Sequence, residues 1–257
     1  MTLLFALLVA APVKLGFATA PGQVGTGVCS AKITVETEDA GGAPTPTSQP
    51  VPLLLSGPAA FFLTPDCSGD AIDPNGGATI AGNSAQVSFY FLHPKPVTLT
   101  LTVESTPYPL VSQSWTVVAA PGVVSGLAFV DSQASVQQRK CSPAFAYLLH
   151  DVNNAAAAAQ RKITVIFQPT TFVEFFSDSA CRSRVLSVEL PVGSQGSQIY
   201  TSSGIAGTFP VQATSPGLDP GSLSLLVPAA SSGGCATAGG AWGALGILSL
   251  MRRRRSR

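Results

Sequence analysis

Cysteine is the residue type in this sequence whose chemistry and spacing are most informative. Four of the five cysteines fall into two similarly spaced pairs, Cys29 with Cys67 and Cys141 with Cys181. Five cysteines allow 15 arrangements with two disulfides and one free thiol. Five free, buried cysteines are the alternative. Disulfides persist in oxidising compartments, so the bridged arrangement predicts an exported protein.

An internal repeat of about 110 residues reduces the number of disulfide arrangements that are expected. Four segments recur in the same order: Val9-Ala10-Ala11-Pro12 as Val118-Ala119-Ala120-Pro121, Cys29-Ser30 as Cys141-Ser142, Phe61-Phe62 as Phe175-Phe176, and Cys67 as Cys181. Equivalent cysteines in equivalent units are expected to pair in the same way. The repeat therefore predicts the bridges Cys29–Cys67 and Cys141–Cys181, and it leaves Cys235 unpaired.

Each unit has the pattern of an all-β domain. Apolar and polar residues alternate in short segments such as 31–37, 97–103 and 163–167, and Gly, Pro and Asp turn signals separate these segments. The alanine run 155–159 has helix propensity, but it aligns with the Pro- and Thr-rich segment 41–49 and is predicted to be a loop. Six to eight strands per unit predict two tandem Ig-like β-sandwich domains, 13–118 and 119–228.

The charge balance argues against nucleic-acid binding. Charged residues are 11% of the chain, against about 25% in a typical soluble domain. The formal charge of +1 includes five arginines after Met251, and the rest of the chain carries nine basic and thirteen acidic residues. Without those arginines no basic patch of the kind that binds nucleic acid is expected.

The last segment, 229–257, has the composition of a targeting signal. Cys235 is followed by 16 uncharged residues, 236–251, and then by Arg252, Arg253, Arg254 and Arg255. As a helix this apolar segment would be about 24 Å long, which is marginal for a bilayer. The arginines would stay on the cytoplasmic side and Cys235 outside. A short C-terminal hydrophobic helix is predicted, either as a processed sorting signal or as a plain membrane anchor.

Two resemblances extend this interpretation. The repeat, with Cys141-Ser142, the segment 175–181 and the segment 196–200, resembles the bacterial Ig-like repeats of myxobacterial surface proteins. The tail, with Gly-Gly-Cys235, the small-residue helix and Arg252 to Arg255, resembles the myxobacterial C-terminal sorting signal called MYXO-CTERM. This second resemblance implies that a membrane protease cuts near Cys235, that Cys235 is modified, and that the protein is displayed on the cell surface, facing outward from the outer membrane.

Two interpretations of the N-terminus, 1–12, remain open. Residues 3–11 resemble a signal-peptide core, and Ala18-Thr19-Ala20 resembles a cleavage box, but no basic residue precedes the core and Pro21 follows the box. Alternatively, residues 1–8 are the last strand of a preceding repeat. The repeat assigns Leu15 and Phe17 to the first strand of a unit.

No set of residues suggests catalysis, a metal or another cofactor. His93 and His150 lack the spacing of metal ligands, and both are predicted to be surface or turn residues. Asp39 and its repeat equivalent Asp151 suit either a Ca²⁺ ligand or the first residue of a turn, and the turn is favoured because no Asp-x-Asp cluster accompanies them. We therefore expect a non-enzymatic protein.

The sequence thus predicts a cell-surface protein whose Ig-like repeats act as an adhesive or spacer module. Its expected partners are the sorting protease, the membrane through the C-terminal helix, and a surface polysaccharide or another cell-surface protein. The alternative is an extracellular module that binds carbohydrate or matrix, which would be supported if Tyr90, Tyr108 and Tyr147 clustered, exposed, on one face. Trp115 is expected in the core.

Overall fold

The structure, a computed structural model, describes residues 11–73, 77–168 and 171–229, and every regular element within these ranges is a β-strand. The predicted C-terminal helix, Cys235 and the arginines 252–255 lie outside the described residues. Within the described ranges, no helix has the length and hydropathy needed to cross a membrane.

The first nine strands form the first unit. Their bounds are β1 Lys14–Phe17, β2 Gln23–Gly25, β3 Ile33–Glu38, β4 Val51–Ser56, β5 Ala60–Phe62, β6 Ala78–Ile80, β7 Gln86–Leu92, β8 Val97–Ser105 and β9 Tyr108–Val118.

The next nine strands form the second unit. Their bounds are β10 Gly126–Phe129, β11 Gln133–Ser135, β12 Phe145–His150, β13 Ile163–Gln168, β14 Val173–Phe176, β15 Ser187–Leu190, β16 Gly196–Ser203, β17 Gly207–Thr214 and β18 Gly221–Val227.

Both units have the same strand order, which is that of an Ig-like sandwich. One sheet has the order β1-β3-β7-β5 and the other β2-β9-β8-β4-β6; the second unit repeats this as β10-β12-β16-β14 and β11-β18-β17-β13-β15. These orders correspond to the A-B-E-D and G-F-C sheets of the Ig fold, with a first-strand segment beside G and an edge strand beside C. In this chain the D-position strand precedes the edge strand beside C, whereas the variable-type Ig domain has the reverse order.

The strand pairings confirm the internal repeat. Ile33 pairs with Phe89 as Phe145 pairs with Ile199, so the offset between units is 112 residues at β3 and 110 at β7. Phe61, which pairs with Phe91, corresponds to Phe175, which pairs with Thr201, at an offset of 114. The second unit therefore has two more residues between its fourth and fifth strands, which explains the longer separation of its cysteines.

Alternation of side chains fills the space between the sheets. In β8, Leu99, Leu101 and Val103 are buried while the residues between them face solvent, and Trp115 of β9 is 3% exposed and packs edge-on against Phe91. The predicted core position of Trp115 is confirmed. Each unit has nine strands, one more than the upper end of the predicted range.

The alanine run is a loop, as predicted. Ala157 and Ala159 are buried at a spacing of two, and their N–H groups donate to Leu149 O and Ser194 O. Thr45 in the first unit likewise donates to Thr37 O at the equivalent position. Tertiary contacts of an extended segment therefore override the helix propensity of alanine.

Residues 1–10, on which most of the N-terminal alternatives rest, lie outside the described residues. Strand β1 begins at Lys14, and Leu15 is buried between the sheets. The sequence assignment of Leu15 and Phe17 to a first strand is confirmed. Cleavage after Ala20 would remove this core strand, so the structure disfavours that cleavage box.

Candidate functional site

The two predicted disulfides are present at equivalent places. Cys29 is bonded to Cys67 and Cys141 to Cys181, and the Cα atoms are 5.6 Å apart in both pairs. In the first unit the bridge joins the loop before β3 to the loop after β5, and it passes over the end of β7, which lies between these strands in the sheet. The second bridge has the same position relative to β12, β14 and β16. Cys67 and Cys181 both have positive φ, 51° and 52°. The second cysteine of each pair thus also forms a tight turn.

The serine after the first cysteine of each pair has a structural role that the sequence reasoning did not identify. Ser30 Oγ accepts the Phe91 N–H at 2.9 Å, and Ser142 Oγ accepts the Thr201 N–H at 2.8 Å. The recurrence of the Cys-Ser dipeptide was the signal that could have revealed it. Serine side chains therefore satisfy backbone donors beside each disulfide, where the sheet pairing ends.

The two units contact each other through a region that we call the joint: the linker 119–125, the Cys29–Cys67 end of the first unit and the facing end of the second. The linker is held from both units. Thr26 Oγ1 accepts the Ala120 N–H at 2.9 Å, and Asp151 Oδ2 accepts the Gly122 N–H at 2.8 Å. Gln160 adds hydrogen bonds to Gly122 O and from the Val124 N–H, and Val124 is 0% exposed.

Gly27 allows the backbones of the two units to approach closely. A Cβ atom on Gly27 would lie 1.8 Å from Val124 O, which is too close for any side-chain atom. Beside it, Arg161 Nη1 of the second unit donates to Gly27 O at 3.2 Å. Burial lowers the pKa of Arg161, and the Asp66 carboxylate opposes that change. A partly buried arginine thus spans the joint and is balanced by an acid of the other unit.

Apolar packing and one ion pair complete the joint. Leu92 is 0% exposed, and a Cβ on Gly217 would lie 2.3 Å from Leu92 Cδ2. Phe62, Cys67 and Leu92 belong to the same apolar cluster as the core of the second unit. Lys95 Nζ lies 3.3 Å from Asp219 Oδ1 across the joint.

The corresponding end of the second unit, which we call the tip, has a different surface. The tip comprises 137–142, 174–184 and 202–205. Leu92 corresponds to Ser202 and Gly27 to Arg139, since Gly27 N–H donates to His93 O as Arg139 N–H donates to Ser203 O. Gly27 and Arg139 share positive φ, 69° and 60°. Backbone conformation therefore does not require glycine at this position, whereas contact with a neighbouring unit does.

Basic residues surround the disulfide of the tip. Arg139, Lys140, Arg182 and Arg184 are all within three residues of Cys141 or Cys181 and are exposed. Arg184 lies 3.3 Å from Glu174. In the described part of the chain, no ion pair involves the other three basic residues.

The recurring aspartates act in turns. Asp39 Oδ1 accepts the N–H groups of Gly41 and Ala43, and Asp151 Oδ1 accepts those of Asn153 and Ala155. These contacts are those of a turn-starting aspartate, the interpretation that the sequence favoured. Hydrogen bonds from Gly122 and then Ala155 lower the pKa of Asp151. No cluster of three potential metal ligands occurs among residues 11–73, 77–168 and 171–229.

The three tyrosines whose exposed clustering would favour carbohydrate binding are buried or half-buried in the structure. Tyr147 is 0% exposed and stacks edge-on against Phe167 in the core, where burial raises its pKa to about 12. Tyr90 and Tyr108 are each half-buried against the apolar clusters. The condition that would have supported carbohydrate binding is therefore not met at Tyr147.

The histidines lie at strand ends and turns, as predicted. His93 Nδ1 is 2.7 Å from Lys95 O in the turn between β7 and β8. His150 ends strand β12, and its Nδ1 is 2.9 Å from Asp151 O. Both rings are thus engaged by nearby backbone carbonyls.

Comparisons with known proteins give no family. No protein-family model and no curated protein matches this sequence. Among solved structures, the chain is similar to the Yersinia pseudotuberculosis adhesin InvE, with a TM-score of 0.31 and 10% identity over 83% of this chain and 58% of that chain. It is also similar to domains 4 and 5 of the S-layer protein SbsC, with a TM-score of 0.30 and 15% identity over 64% of this chain and 89% of that chain.

A β-glycosidase from Bacteroides vulgatus has a TM-score of 0.33 and 9% identity over 83% of this chain and 24% of that chain. The chain thus spans little more than half of InvE and a quarter of the glycosidase. TM-scores this low carry no argument about fold or function, so the Ig-like assignment rests on strand order and pairing.

Proposed function

We propose that this chain is a non-enzymatic cell-surface protein whose two Ig-like domains, 13–118 and 119–228, act outside the cell as a spacer or adhesive module. The observation that carries the proposal is the pair of disulfides at equivalent positions of two repeated sandwiches. Disulfides in both units point to an oxidising, extracellular location.

The joint favours a spacer over two freely jointed domains. Domains in one chain move relative to each other by default unless their interface is well packed and apolar. Here Phe62 and Leu92 pack into the core cluster of the second unit, and hydrogen bonds hold the linker from both sides. We infer that the two units move together as one extended body, which suits the display of a surface at a distance from the cell.

The C-terminal tail is the proposed route to the surface. Cys235 would be the processing and modification site, the apolar segment 236–251 would enter the membrane as a helix, and Arg252 to Arg255 would stop its transfer. A sorting protease is the proposed partner at this tail, and the outer membrane is the proposed destination. A surface polysaccharide or another cell-surface protein is the proposed partner of the displayed units.

The carbohydrate-binding alternative is weaker than the spacer proposal. Sugar sites depend on exposed aromatic faces, and Tyr147 and Trp115 are both in the core. No specific observation in the described residues favours a sugar site.

The experiment is the replacement Cys235→Ala in the native host, with Ser232→Ala as the matched tail control that keeps the thiol. Cells are fractionated, and the intact mass of the protein is measured in each fraction. We expect the wild type and the control on the outer surface with a chain ending near Cys235. The variant is expected as an uncut chain in the membrane, or released from the surface. A variant displayed on the surface at the wild-type mass would refute the sorting proposal.

A further inference from the structure

The tip has a charge opposite to that of the rest of the two units. It contains four basic residues, Arg139, Lys140, Arg182 and Arg184, and two acidic ones, Glu174 and Asp178. The remaining residues of 11–229 contain five basic and eleven acidic residues. Nearly half of the basic residues before the tail thus lie at one end of the two units, whose other residues are predominantly acidic.

The two acidic residues of the tip have other partners than Arg139, Lys140 and the Arg182 side chain. Asp178 accepts the N–H groups of Ala180, Arg182 and Ser183, which lower its pKa, with Ser183 contributing most. The carboxylate of Glu174 forms an ion pair with Arg184. In the described part of the chain, Arg139, Lys140 and Arg182 form no ion pair, and the four basic and two acidic residues of the tip leave it a net charge of +2 around the Cys141–Cys181 bridge.

The tip is also the place from which the tail leaves the folded units. Val227, the last residue of β18, pairs with Gly207, which follows the tip segment 202–205 closely in the chain. Arg139 is held against that segment by its hydrogen bond to Ser203 O. Cys235 is eight residues beyond Val227, a reach of at most about 29 Å for an extended chain. A surface attached through Cys235 would thus lie close to the basic residues.

The tip is not shaped to receive a third unit in the manner of the joint. Joint formation requires Gly27, which becomes Arg139 at the tip, and the apolar Leu92, which becomes Ser202. A repeat with a polar outer face is typical of the end of an array. The partner of the tip should therefore be something other than another such repeat.

We propose that the tip binds the anionic lipid headgroups of the membrane surface to which the tail leads, and so holds the two units upright on that surface. This inference rests on the proposed surface attachment. Unpaired arginine and lysine side chains are attracted to headgroup phosphates, and a basic patch is one of the second signals that make attachment through a single lipid chain stable. Salt would weaken the contact, because exposed charges are screened beyond about 8 Å at physiological ionic strength.

The test uses the full chain with Arg252, Arg253, Arg254 and Arg255 changed to Gln in every sample, so that the tail contributes equally throughout. The tip variant is Arg139→Asn, Lys140→Gln and Arg182→Gln; asparagine is chosen because it tolerates positive φ. The control variant is Lys14→Gln, Lys32→Gln and Lys162→Gln, which removes the same charge elsewhere. Flotation measures binding to vesicles of 30% phosphatidylglycerol in phosphatidylcholine, and to pure phosphatidylcholine.

We expect the tip variant to bind the anionic vesicles about tenfold more weakly than its parent, and the control variant to change less than twofold. Binding to pure phosphatidylcholine should be the same for all three proteins, and 0.5 M NaCl should remove the difference. Equal loss in the tip and control variants would overturn the proposal, because it would show a response to net charge alone.

Heparin distinguishes a second source of anions. If the parent binds heparin in a tip-dependent way but the vesicles in a tip-independent way, the partner is an anionic polysaccharide and the lipid proposal is wrong. The vesicle assay requires no processing at Cys235, so its outcome is independent of the Cys235→Ala experiment. A positive vesicle result with failed sorting would leave the tip contact intact and refute only the route to the surface.

Discussion

The Cys29–Cys67 end of the first unit and the Cys141–Cys181 end of the second unit are the same piece of structure in two environments. Both have a disulfide over the end of the third strand in the sheet, a serine that accepts a backbone N–H, and a positive-φ residue two positions before the first cysteine. In the first unit this end is covered, and Cys67 is 3% exposed. In the second unit it carries exposed basic side chains.

The difference separates residues that make the fold from residues that make the contact. Cysteine and serine are retained at both ends because each sandwich needs them. Gly27 and Leu92 differ from Arg139 and Ser202 because one end faces the carbonyl of Val124 and the loop of Gly217. A repeated fold thus provides an internal control, in which positions that change between units report the neighbours of each unit.

Removing the disulfides should have the largest effect and should test how far the two ends differ. Each bridge closes a loop of 38 or 40 residues, which corresponds to about 4 kcal/mol of stabilisation. We expect Cys29→Ser with Cys67→Ser to destabilise both units, because Cys67 lies in the cluster that contains the second core. Cys141→Ser with Cys181→Ser should destabilise the second unit alone.

Urea unfolding distinguishes these outcomes in chains that also carry Trp242→Phe, so that fluorescence reports Trp115 in the first core. Proteolysis follows the second unit. If each double variant destabilises only the unit that carries it, and by the same amount, the joint does not couple the stabilities of the two units.

The substitution Gly27→Ala should disrupt the joint by about 1–3 kcal/mol, the usual cost of overpacking. Its Cβ would meet Val124 O, so the linker would have to move. The control is Arg139→Ala, which places the same side chain at an equivalent positive φ at the tip, where no other unit packs in the described part of the chain. Small-angle scattering should show a broader range of shapes for Gly27→Ala alone, and similar profiles for both variants would contradict the role given to Gly27.

Acid should weaken the joint through Asp151, with the smallest effect of the three. Hydrogen bonds lower the pKa of Asp151 in the folded state, so its carboxylate stabilises the fold above the unfolded pKa of about 3.8. That contribution is lost as pH falls through the lowered folded value. Asp151→Asn should therefore lower Tm at pH 7 and reduce the further decrease of Tm below pH 4.

The control for this prediction is Asp39→Asn, which removes the equivalent turn carboxylate but no contact to the linker. Melting curves between pH 2 and pH 7 should show the second unit unchanged in the control. An unchanged pH profile for Asp151→Asn would mean that this carboxylate does not support the joint.

Strands are easiest to predict from the sequence where one face is buried and the other is exposed to solvent. Segments 97–103 and 163–167 alternate clearly and are β8 and β13 in the structure. Strand β4, Val51–Ser56, was missed because its outward residues include Leu54 and Pro52, so the alternation is hidden by apolar residues on both faces. Strand β17 was missed for a similar reason, since Phe209 and Pro210 are adjacent in it.

The sequence alone determined the all-β class, the repeat and the cysteine pairing, because these depend on local alternation and on correspondence between equivalent positions. Only the tertiary structure decided that Tyr147 is buried, that Gly27 and Leu92 face a neighbouring unit, and that Arg139, Lys140 and Arg182 surround one bridge. These facts depend on which residues distant in the chain meet in space. The sandwich topology and the packing of one unit on the other bring those residues together, and no local pattern records the result.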